Sequence, residues 1–533
     1  MKVFYFSLVI FILLQFNCKS RSGTITITQK DTSITKANAL SQLFLDSLMV
    51  ESFIRERGLA DSAALVIRNF YNSRNYQFAW FTEEGLAEQT RAFWNLHNNY
   101  VRLTADSSLL DEDLHSQMEL LINGDTSINM AAKGVSQTEL ALTSHFFEYA
   151  RYAYTGRLDP KELQWHIPRK KVNAMALLDT LISNKGKNIE QWQPVNRQYL
   201  LMYEKLKHYY KIAKEGGWKK INQGGEKEFK PGDSSIAIRQ VKQHLIAVGD
   251  YNEQDTSQRF TSQLTAAVKM VQKRYGQDQD GIIDNDLIKV LNVPVNDRIE
   301  QMLINMERMR WMPKESPGSR IVANIPEFKM HIFQGGEKIF DMDIVVGTIA
   351  NRTVIFTDTL KYIVFSPYWN VPRSIVRNEI LPAIRKNPNY LARNNMEQTG
   401  FSNGLPVIRQ KPGGSNALGK VKFIFPNTYS IYFHDTPSKS LFNNKRRAFS
   451  HGCIRLAEPA EMAEYLLHDQ PEWTKAKITE AMNSSQEKWI SLKVPVPVII
   501  TYLTLWIGND GALNFREDIY GHDKKMNQHL FEK

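Results

Sequence analysis

One cysteine and one histidine in the C-terminal part of the chain have the residue types and spacing of a nucleophile and its general base. Cys453 lies in the segment Phe449–Leu456, which reads FSHGCIRL, and follows His434 by nineteen residues. A cysteine thiol has an ordinary pKa of about 8.5, so it needs a base or a positive field to react near neutral pH. We therefore predict that Cys453 is the nucleophile and that His434 takes its proton.

The residues beside this pair have groups that can assist acyl transfer. Gly452 permits close approach of the backbone, so amides at Gly452 and Cys453, helped by the Tyr432 hydroxyl, are expected to hold an oxyanion. Three roles stay open for Arg455: favouring the thiolate, fixing the loop through a structural ion pair, or binding a substrate carboxylate. We expect His451 to orient the loop or to line the site, without acting as the base.

The same residues also have simpler interpretations. A free cysteine is often a small core residue, but the polar Ser-His-Gly before this one and the arginine after it argue against that. A zinc site from the two histidines and Cys453 lacks a second cysteine or an obvious fourth ligand, so no metal and no cofactor are expected. Ser450, Trp369 and Asn370 are predicted to contact substrate, although an aromatic residue of a β-rich domain more often belongs to its core.

A mostly β domain, residues 320–526, is expected to position these groups. Short β-rich runs predict strands at Ile321–Ile325, Met330–Phe333, Lys338–Val346, Lys361–Phe365, Lys422–Phe425, Ser430–His434 and Val494–Trp506. The sequence Asn509-Asp510-Gly511 predicts a hairpin turn, and Pro459 predicts the start of a helix through Leu467. The strand period of two places Tyr432 and His434 on the same face.

The chain before that domain has helical periodicity. Residues 37–218 predict a helical scaffold, with apolar positions such as Leu142, Phe146 and Tyr149 on one face. After a glycine-rich linker, residues 230–293 predict three short helices in a small bundle, and residues 297–312 a connecting helix. The fold class is therefore a multidomain α+β protein with a helical scaffold, a three-helix bundle and a mostly β catalytic domain.

Two segments resemble known families. Residues 230–293 resemble the three-helix peptidoglycan-binding module through Ala267-Val268, Gln272, Asp280-Gly281 and Leu291-Asn292, and a generic helical spacer is the alternative. Ser450–Arg455, with His434 upstream, resembles the signature of the YkuD-type catalytic domain of L,D-transpeptidases. The order of scaffold, wall-binding module and catalytic domain is similar to the large periplasmic branch of that family, as are these runs: Tyr368–Pro372, Pro412-Gly413, Asn416–Gly419, Phe425–Asn427 and His434–Pro437.

This resemblance implies an acyltransferase of cell-wall biogenesis. Cys453 would form a thioester with a tetrapeptide stem of peptidoglycan, release D-alanine and transfer the acyl group to an amine of a neighbouring stem, giving a 3→3 cross-link. Carbapenems would acylate the same sulfur. The implied partners are stem peptides and glycan, and no nucleic acid. Asp435 after His434 departs from many relatives, so either its carboxylate or a backbone carbonyl is expected to orient the imidazole.

Other functions remain open at this stage. An L,D-carboxypeptidase would transfer the same thioester to water, and sequence does not show how well the site excludes water. A sortase-like enzyme acting on proteins would share the Cys, His and Arg chemistry. A non-catalytic wall-binding protein would use residues 230–293 alone. The wall-binding module and the contiguous Ser-His-Gly-Cys-Ile-Arg block favour the L,D-transpeptidase.

Composition and the N-terminal residues indicate an exported, globular, basic protein. The chain has 533 residues, 42% of them hydrophobic, and a net charge of +11, which excludes disorder and suits an anionic partner. Residues 1–20 read as a signal peptide, because Lys2 precedes an apolar run of 14 residues. Processing is left open between lipidation at Cys18, which would anchor the chain in a membrane, and cleavage after Ser20. Residues 21–36 form a polar tether, and the protein is expected in the periplasm or cell envelope.

Basic residues also occur in two short surface runs. Lys445–Arg447 and Arg385-Lys386 are most simply solvated loops, and attraction of stem carboxylates is a second interpretation.

Overall fold

The computed structural model describes residues 27–39, 41–104, 109–123, 133–168, 172–188, 197–251, 255–313 and 318–531. The predicted signal peptide and Cys18 lie outside these residues, and the predicted tether is described only from residue 27 onward. Among the described residues, none of the helices combines the length and the apolar character needed to cross a bilayer.

The chain has an α-rich part that is followed by a β-rich part. In chain order the helices are α1 (Ser47–Glu56), α2 (Asp61–Ser73), α3 (Glu88–Thr104), α4 (Glu112–Asn123), α5 (Lys133–Thr155), α6 (Ala174–Ser183), α7 (Arg197–Lys214), α8 (Ile236–Val248), α9 (Ser262–Arg274), α10 (Asn285–Leu291), α11 (Val295–Trp311), α12 (Arg373–Ile375), α13 (Leu381–Lys386), α14 (Tyr390–Arg393), α15 (Pro459–Leu466), α16 (Lys475–Met482) and α17 (His522–Leu530). A π-helical turn, Val376–Ile380, joins α12 to α13.

The strands are shorter than the helices before residue 300 and dominate after it. They are β1 (Phe81–Thr82), β2 (Gly85–Leu86), β3 (Trp165–His166), β4 (Glu228–Phe229), β5 (Ile283–Asp284), β6 (Arg320–Asn324), β7 (Lys329–Gln334), β8 (Glu337–Gly347), β9 (Ile355–Phe365), β10 (Trp369–Asn370), β11 (Met396–Ser402), β12 (Leu405–Gln410), β13 (Val421–Ile424), β14 (Phe433–His434), β15 (Ala448–Ser450), β16 (Ile454–Leu456), β17 (Lys488–Thr501), β18 (Leu505–Ile507) and β19 (Leu513–Phe515). The predicted multidomain α+β class is confirmed.

The described chain divides into two compact units. The first contains residues up to 94, 111–147 and 175–187. Its core is aromatic: the ring of Phe93 lies 5.2 Å from those of Trp80 and Phe146. Buried Glu139 accepts hydrogen bonds from the amides of Ala79 and Trp80, which satisfies backbone donors just before the β1–β2 hairpin.

The second unit contains residues 95–110, 148–174 and 188 onward, and it includes the predicted three-helix bundle. Helices α8 to α10 and the short β4–β5 pair enclose a core that includes Ile238, Leu264 and Val268. Buried Gln272 donates to Asp280 and to the Ile282 carbonyl. The side-chain oxygen Oε1 of Gln272 accepts a hydrogen bond from the Gly281 amide. The glutamine and the Asp-Gly turn of the family signature therefore hold this module together.

The β-rich part is a sheet that closes on itself. The strands run in the order β13-β14-β16-β8-β7-β6-β17-β9-β3, and β13 also pairs with β9, so eight strands form a closed ring. Apolar side chains that alternate along the strands fill the interior, including Ile332, Ile344, Ile363, Phe423 and Ile500. Strand β3 comes from the predicted scaffold region but pairs in parallel with β9.

A small subdomain is inserted between β9 and β13. It contains the three-stranded sheet β10-β12-β11 and helices α12 to α14. Its own apolar cluster is formed by Val371, Ile375, Val376, Ile380 and Ile408.

Candidate active site

Strand pairing brings the two segments that carry the predicted chemistry side by side. The short strand β14 pairs in parallel with β16, with Phe433 opposite Ile454 and His434 opposite Arg455. Since Cys453 directly precedes β16, it lies level with Tyr432, one residue before β14. The rings of Tyr432 and His434 are 5.7 Å apart, as the strand period predicts for two residues on one face.

The Cys453 thiol is half-buried and is surrounded by groups of the 430–432 segment. Its Sγ lies 3.7 Å from the Ser430 carbonyl oxygen, and both the amide and the hydroxyl of Tyr432 hydrogen-bond the sulfur. Burial raises the pKa of the Cys453 thiol, while the Tyr432 bonds and the charge of Arg455 oppose that rise. The thiol is therefore protonated near neutral pH, and it would have to lose this proton to act as a nucleophile.

The imidazole of His434 is neutral and is held in one tautomer. Its Nδ1 lies 2.5 Å from the backbone carbonyl oxygen of Asp435, and because a carbonyl only accepts, Nδ1 carries the proton. This tautomer leaves Nε2 as an acceptor. Burial, followed by the positive charge of Arg455, lowers the pKa of His434 to about 3.

The Asp435 carboxylate binds a backbone amide and a lysine side chain, and it does not orient the imidazole. It accepts from the Lys420 amide at 2.8 Å and pairs with Lys439 Nζ at 2.8 Å. Gly419 has φ +62° and packs so closely that a Cβ there would lie 2.4 Å from the carboxylate carbon. Of the two orienting groups considered from the sequence, the structure uses the carbonyl.

Arg455 is half-buried beside both reacting groups and forms no ion pair with any carboxylate in the described residues. It pairs through the backbone with His434 on one side and with Val345 of β8 on the other. Its charge lowers the pKa of His434 and opposes the rise of the Cys453 pKa. The structural ion pair considered for Arg455 is therefore not observed, and its positive charge remains available.

Ser450 and Gly452 shape the turn before the nucleophile. Ser450 is buried, donates to the Cys453 carbonyl at 2.5 Å and accepts from the Gly452 amide at 3.1 Å. Gly452 has φ +116°, a conformation that other residues rarely adopt. The bonds of Ser450 are thus internal to the loop, and its contact with substrate stays a prediction. The Gly452 amide, predicted in the oxyanion region, is engaged with Ser450.

Two residues that are distant in the sequence support this turn by hydrogen bonds, and neither of them lies in a motif that would have predicted this role. Thr353 Oγ1 donates to the Gly452 carbonyl at 2.8 Å and accepts from the Gly347 amide at 2.9 Å. The Tyr520 hydroxyl donates to the Gly347 carbonyl at 2.6 Å and accepts from the Thr353 amide at 3.3 Å. A chain of buried hydrogen bonds therefore links the end of the domain to the cysteine loop.

The turn before β14 is also strained. Ser430 has φ +57°, which is unusual for a residue with a side chain, and its carbonyl faces the thiol. Asn427 stabilises this turn, because its side chain bonds the Phe425 and Ile431 carbonyls and accepts from the amides of Tyr429 and Ile431.

Three further predicted residues occupy the edges of the site. His451 Nε2 lies 3.1 Å from the Glu379 carboxylate of the inserted subdomain, and both side chains are about half exposed. Trp369 packs partly against the small core of that subdomain, whereas Asn370 is exposed on β10. The described contacts of Trp369 and Asn370 do not include Cys453 or His434. No group of three or more His, Cys, Asp or Glu within the described ranges is arranged to hold a metal ion.

Comparison with known proteins matches three segments of the chain to families. Residues 318–497 match the model of the L,D-transpeptidase catalytic domain (YkuD), residues 66–206 match a scaffold domain, and residues 234–291 match a "Putative peptidoglycan binding domain". The resemblance found in the sequence is confirmed for each of these domains.

A curated relative shows the same similarity. A protein of Haemophilus influenzae named "Putative L,D-transpeptidase" is 30% identical over 243 residues, which cover 43% of this chain and 49% of the relative. The chain thus spans about half the length of the relative that it matches.

Three solved structures are similar at low identity. An L,D-transpeptidase from Mycobacterium smegmatis is 15% identical, with 35% of this chain and 60% of that chain covered and a TM-score of 0.20. One from Stackebrandtia nassauensis is 13% identical, with 51% and 94% covered and a TM-score of 0.22. L,D-transpeptidase 3 from Mycobacterium tuberculosis, in complex with a faropenem-derived adduct, is 14% identical, with 35% and 62% covered and a TM-score of 0.19.

Proposed function

We propose, on the premise that residues 318–497 are a YkuD-type L,D-transpeptidase catalytic domain, that this chain is a cysteine-dependent peptidoglycan L,D-transpeptidase. Its donor is a tetrapeptide stem, its leaving group is the terminal D-alanine, and its acceptor is an amine of a neighbouring stem. The product is a 3→3 cross-link.

The observation that carries the proposal is the pairing of β14 with β16. It holds a protonated thiol, a neutral imidazole whose Nδ1 donates to a carbonyl, and an arginine without an ion pair at adjacent ends of two strands. A nucleophile, an oriented base and a fixed positive charge are the parts that acyl transfer through a thioester requires.

In the first half of the reaction, the thiol of Cys453 gives its proton to Nε2 of His434 as the sulfur attacks the carbonyl carbon after the third stem residue. A C–S bond forms, and the carbonyl oxygen becomes an oxyanion, which the Tyr432 hydroxyl beside the sulfur can bind. When the C–N bond to D-alanine breaks, the imidazolium returns the proton to the leaving amine. The enzyme is then a thioester with a neutral imidazole.

In the second half, an amine of a neighbouring stem attacks the thioester carbon. A C–N bond forms and the C–S bond breaks, and one amine proton passes through His434 to the sulfur, which regenerates the thiol. Attack by water instead would release a tripeptide stem and make the protein an L,D-carboxypeptidase. Arg455, whose charge lies beside the thiol, would bind a stem carboxylate or favour the thiolate during attack.

The other segments support a reaction at the cell wall. The match of residues 234–291 to a peptidoglycan-binding family supports glycan and stem peptides as partners. We also propose that residues 1–20 export the chain to the periplasm, with either lipidation at Cys18 or cleavage after Ser20 as the processing step. Labelling cells with a radioactive fatty acid and comparing Cys18→Ala with wild type separates these two outcomes.

The activity is tested by incubating the purified full chain with disaccharide-tetrapeptide muropeptides and separating the products by mass spectrometry. We expect 3→3 dimers and one D-alanine per dimer from the wild type, and neither from Cys453→Ala. Tripeptide stems without dimers would replace the proposal with a carboxypeptidase. D-alanine release by Cys453→Ala, or no release by the wild type, would refute it.

A further inference from the structure

A cavity opens beside the loop that leads to the nucleophile. Its volume is about 580 Å³, and its walls are residues 348–350, which follow β8, and residues 444–446, 448 and 449, which lead into and form β15. This volume is within the range of about 300 to 1,000 Å³ that small-ligand sites occupy.

The cavity and His434 lie on opposite sides of β16, the strand that directly follows Cys453. Strand β8 pairs with β16 at Arg455 and also with β15 at Ser450, whereas β14 pairs with the opposite edge of β16. The Thr348 amide donates to the Ser450 carbonyl at 3.0 Å, which fixes the two walls to each other. Phe449 is four residues from Cys453, so even a fully extended chain separates the wall from the nucleophile by at most about 14 Å. A stem peptide can therefore reach from the cavity to the thiol.

The walls combine exposed apolar surface with positive charge. Ile349 is 54% exposed and Phe449 is 42% exposed, and because both line the same cavity they give it an exposed apolar wall. The three basic residues of the 445–447 run have different environments. Arg447 pairs with Asp343 at 2.9 Å outside the cavity lining, so it is structural.

Lys445 and Arg446 both line the cavity, but only one of them has a partner. Lys445 pairs with Asp278 at 2.8 Å. Arg446 is exposed and forms no ion pair with a carboxylate of the described chain. An exposed guanidinium at the rim of an apolar cavity is suited to bind the carboxylate of a short peptide, because it can donate two parallel hydrogen bonds.

The ion pair of Lys445 also connects the cavity to the peptidoglycan-binding-like module, since Asp278 follows α9. That module is packed firmly on the catalytic domain: the rings of Tyr275 and Phe515 stack at 4.9 Å, and Arg516 donates to the Arg274 carbonyl at 2.7 Å. The module therefore lies beside the mouth of the cavity.

We propose that this cavity is a stem-peptide subsite in which Arg446 binds a free carboxylate of the stem; the inference rests on the proposed function. Arg446 is a specificity-determining residue that selects stems by their charge, and Phe449 and Ile349 contact the apolar part of the same stem.

The test is a double-mutant cycle between Arg446 and the carboxylates of the ligand. A soluble tripeptide stem, and the same peptide with its carboxylates amidated, are titrated by calorimetry into the full chain carrying Cys453→Ala, with and without Arg446→Gln. Amidation is expected to weaken binding about tenfold when Arg446 is present and less than twofold when it is replaced. The matched control is Arg91→Gln, which replaces an exposed arginine of α3 that does not line the cavity. In this variant, amidation should weaken binding as much as it does when Arg446 and Arg91 are both intact.

Equal effects of amidation with and without Arg446 would overturn the proposal, as would no effect in either protein. Phe449→Ser should weaken both peptides to the same extent, and no change in either would remove the cavity as the site. D-alanine release by the wild type is measured separately. If amidation and Arg446→Gln are coupled but the wild type releases no D-alanine, the carboxylate site is retained and the proposed transpeptidase activity is refuted. In an enzyme that is active, a slower acylation by Arg446→Gln assigns the carboxylate to the donor, and a higher KM for the amine assigns it to the acceptor.

Discussion

The rate of acyl-enzyme formation should be insensitive to acid down to a pH far below the ordinary pKa of histidine. Only the neutral imidazole can take the proton of Cys453, and the pKa of His434 is lowered from 6.5 to about 3 by burial and by the charge of Arg455. The base is therefore active above pH 3 and is lost as the pH falls through that value.

The size of the effect follows from the shift. A pKa of His434 that is lower by about 3.5 means that the imidazolium is disfavoured by about 5 kcal/mol, because one pKa unit corresponds to about 1.36 kcal/mol. At pH 5 a histidine of ordinary pKa would be about 97% protonated and acylation would be about thirtyfold slower than at pH 8. With the lowered pKa only about 1% is protonated, so the rate should be unchanged.

The assay is single-turnover release of D-alanine from a donor stem, without an acceptor amine, between pH 4.5 and 8.5. A flat profile is expected, followed by a rise at alkaline pH as the thiol ionises, since its pKa is raised. In Arg455→Met, the pH at which the acylation rate falls in acid should rise toward 6.5, because a charge that lowers the pKa of His434 is removed. The pH profile of Arg385→Met should match that of the wild type. A wild-type rate that halves near pH 6.5 would refute the proposed state of His434.

Three further substitutions test individual contacts. Tyr432→Phe removes the hydroxyl at the sulfur and should slow acylation on the order of 100-fold without changing the melting temperature, and an unchanged rate would exclude this hydroxyl from the reaction. Thr353→Val leaves two buried backbone groups unpaired, so it should cost about 2 to 4 kcal/mol and slow acylation, while Thr353→Ser restores both properties. Gln272→Leu should raise hydrogen exchange throughout residues 230–293 and leave acylation unchanged, because its bonds lie within the module. Slow exchange in that variant would contradict the role given to the side chain.

Local sequence features predicted much of the fold because turns and periodicity act locally. The Asn509-Asp510-Gly511 turn does join β18 to β19, and the helix at 297–312 is α11. The hairpin of β11 and β12 was not predicted, although its Asn403-Gly404 turn is a strong hairpin signal. The edge strand β3 had no local signal, since two residues in a helical region become a strand only by pairing with β9.

The candidate site was predictable where chemistry depends on residue type and not where it depends on distant backbone groups. Cys453, His434, Tyr432 and Arg455 are contiguous in two motifs, and the structure brings them together on β14 and β16. The support from Thr353 requires the closed sheet and is invisible in the sequence.

Burial was the main physical effect that the sequence did not reveal. Spacing predicts a thiol that a nearby imidazole ionises, whereas burial raises the pKa of Cys453 and lowers that of His434, so both groups are neutral at rest. In the proposed reaction, His434 would therefore take the proton during attack and would not form a thiolate beforehand.

The most direct test of the central claim is the intact mass of the full chain after incubation with a carbapenem. Attack on the β-lactam opens its ring and retains all its atoms, so the wild type should gain the mass of one drug molecule. Cys453→Ser should gain none, and His434→Ala, checked for an unchanged melting temperature, should gain it at a greatly reduced rate. An adduct on Cys453→Ser, or equal rates for His434→Ala and the wild type, would contradict the account.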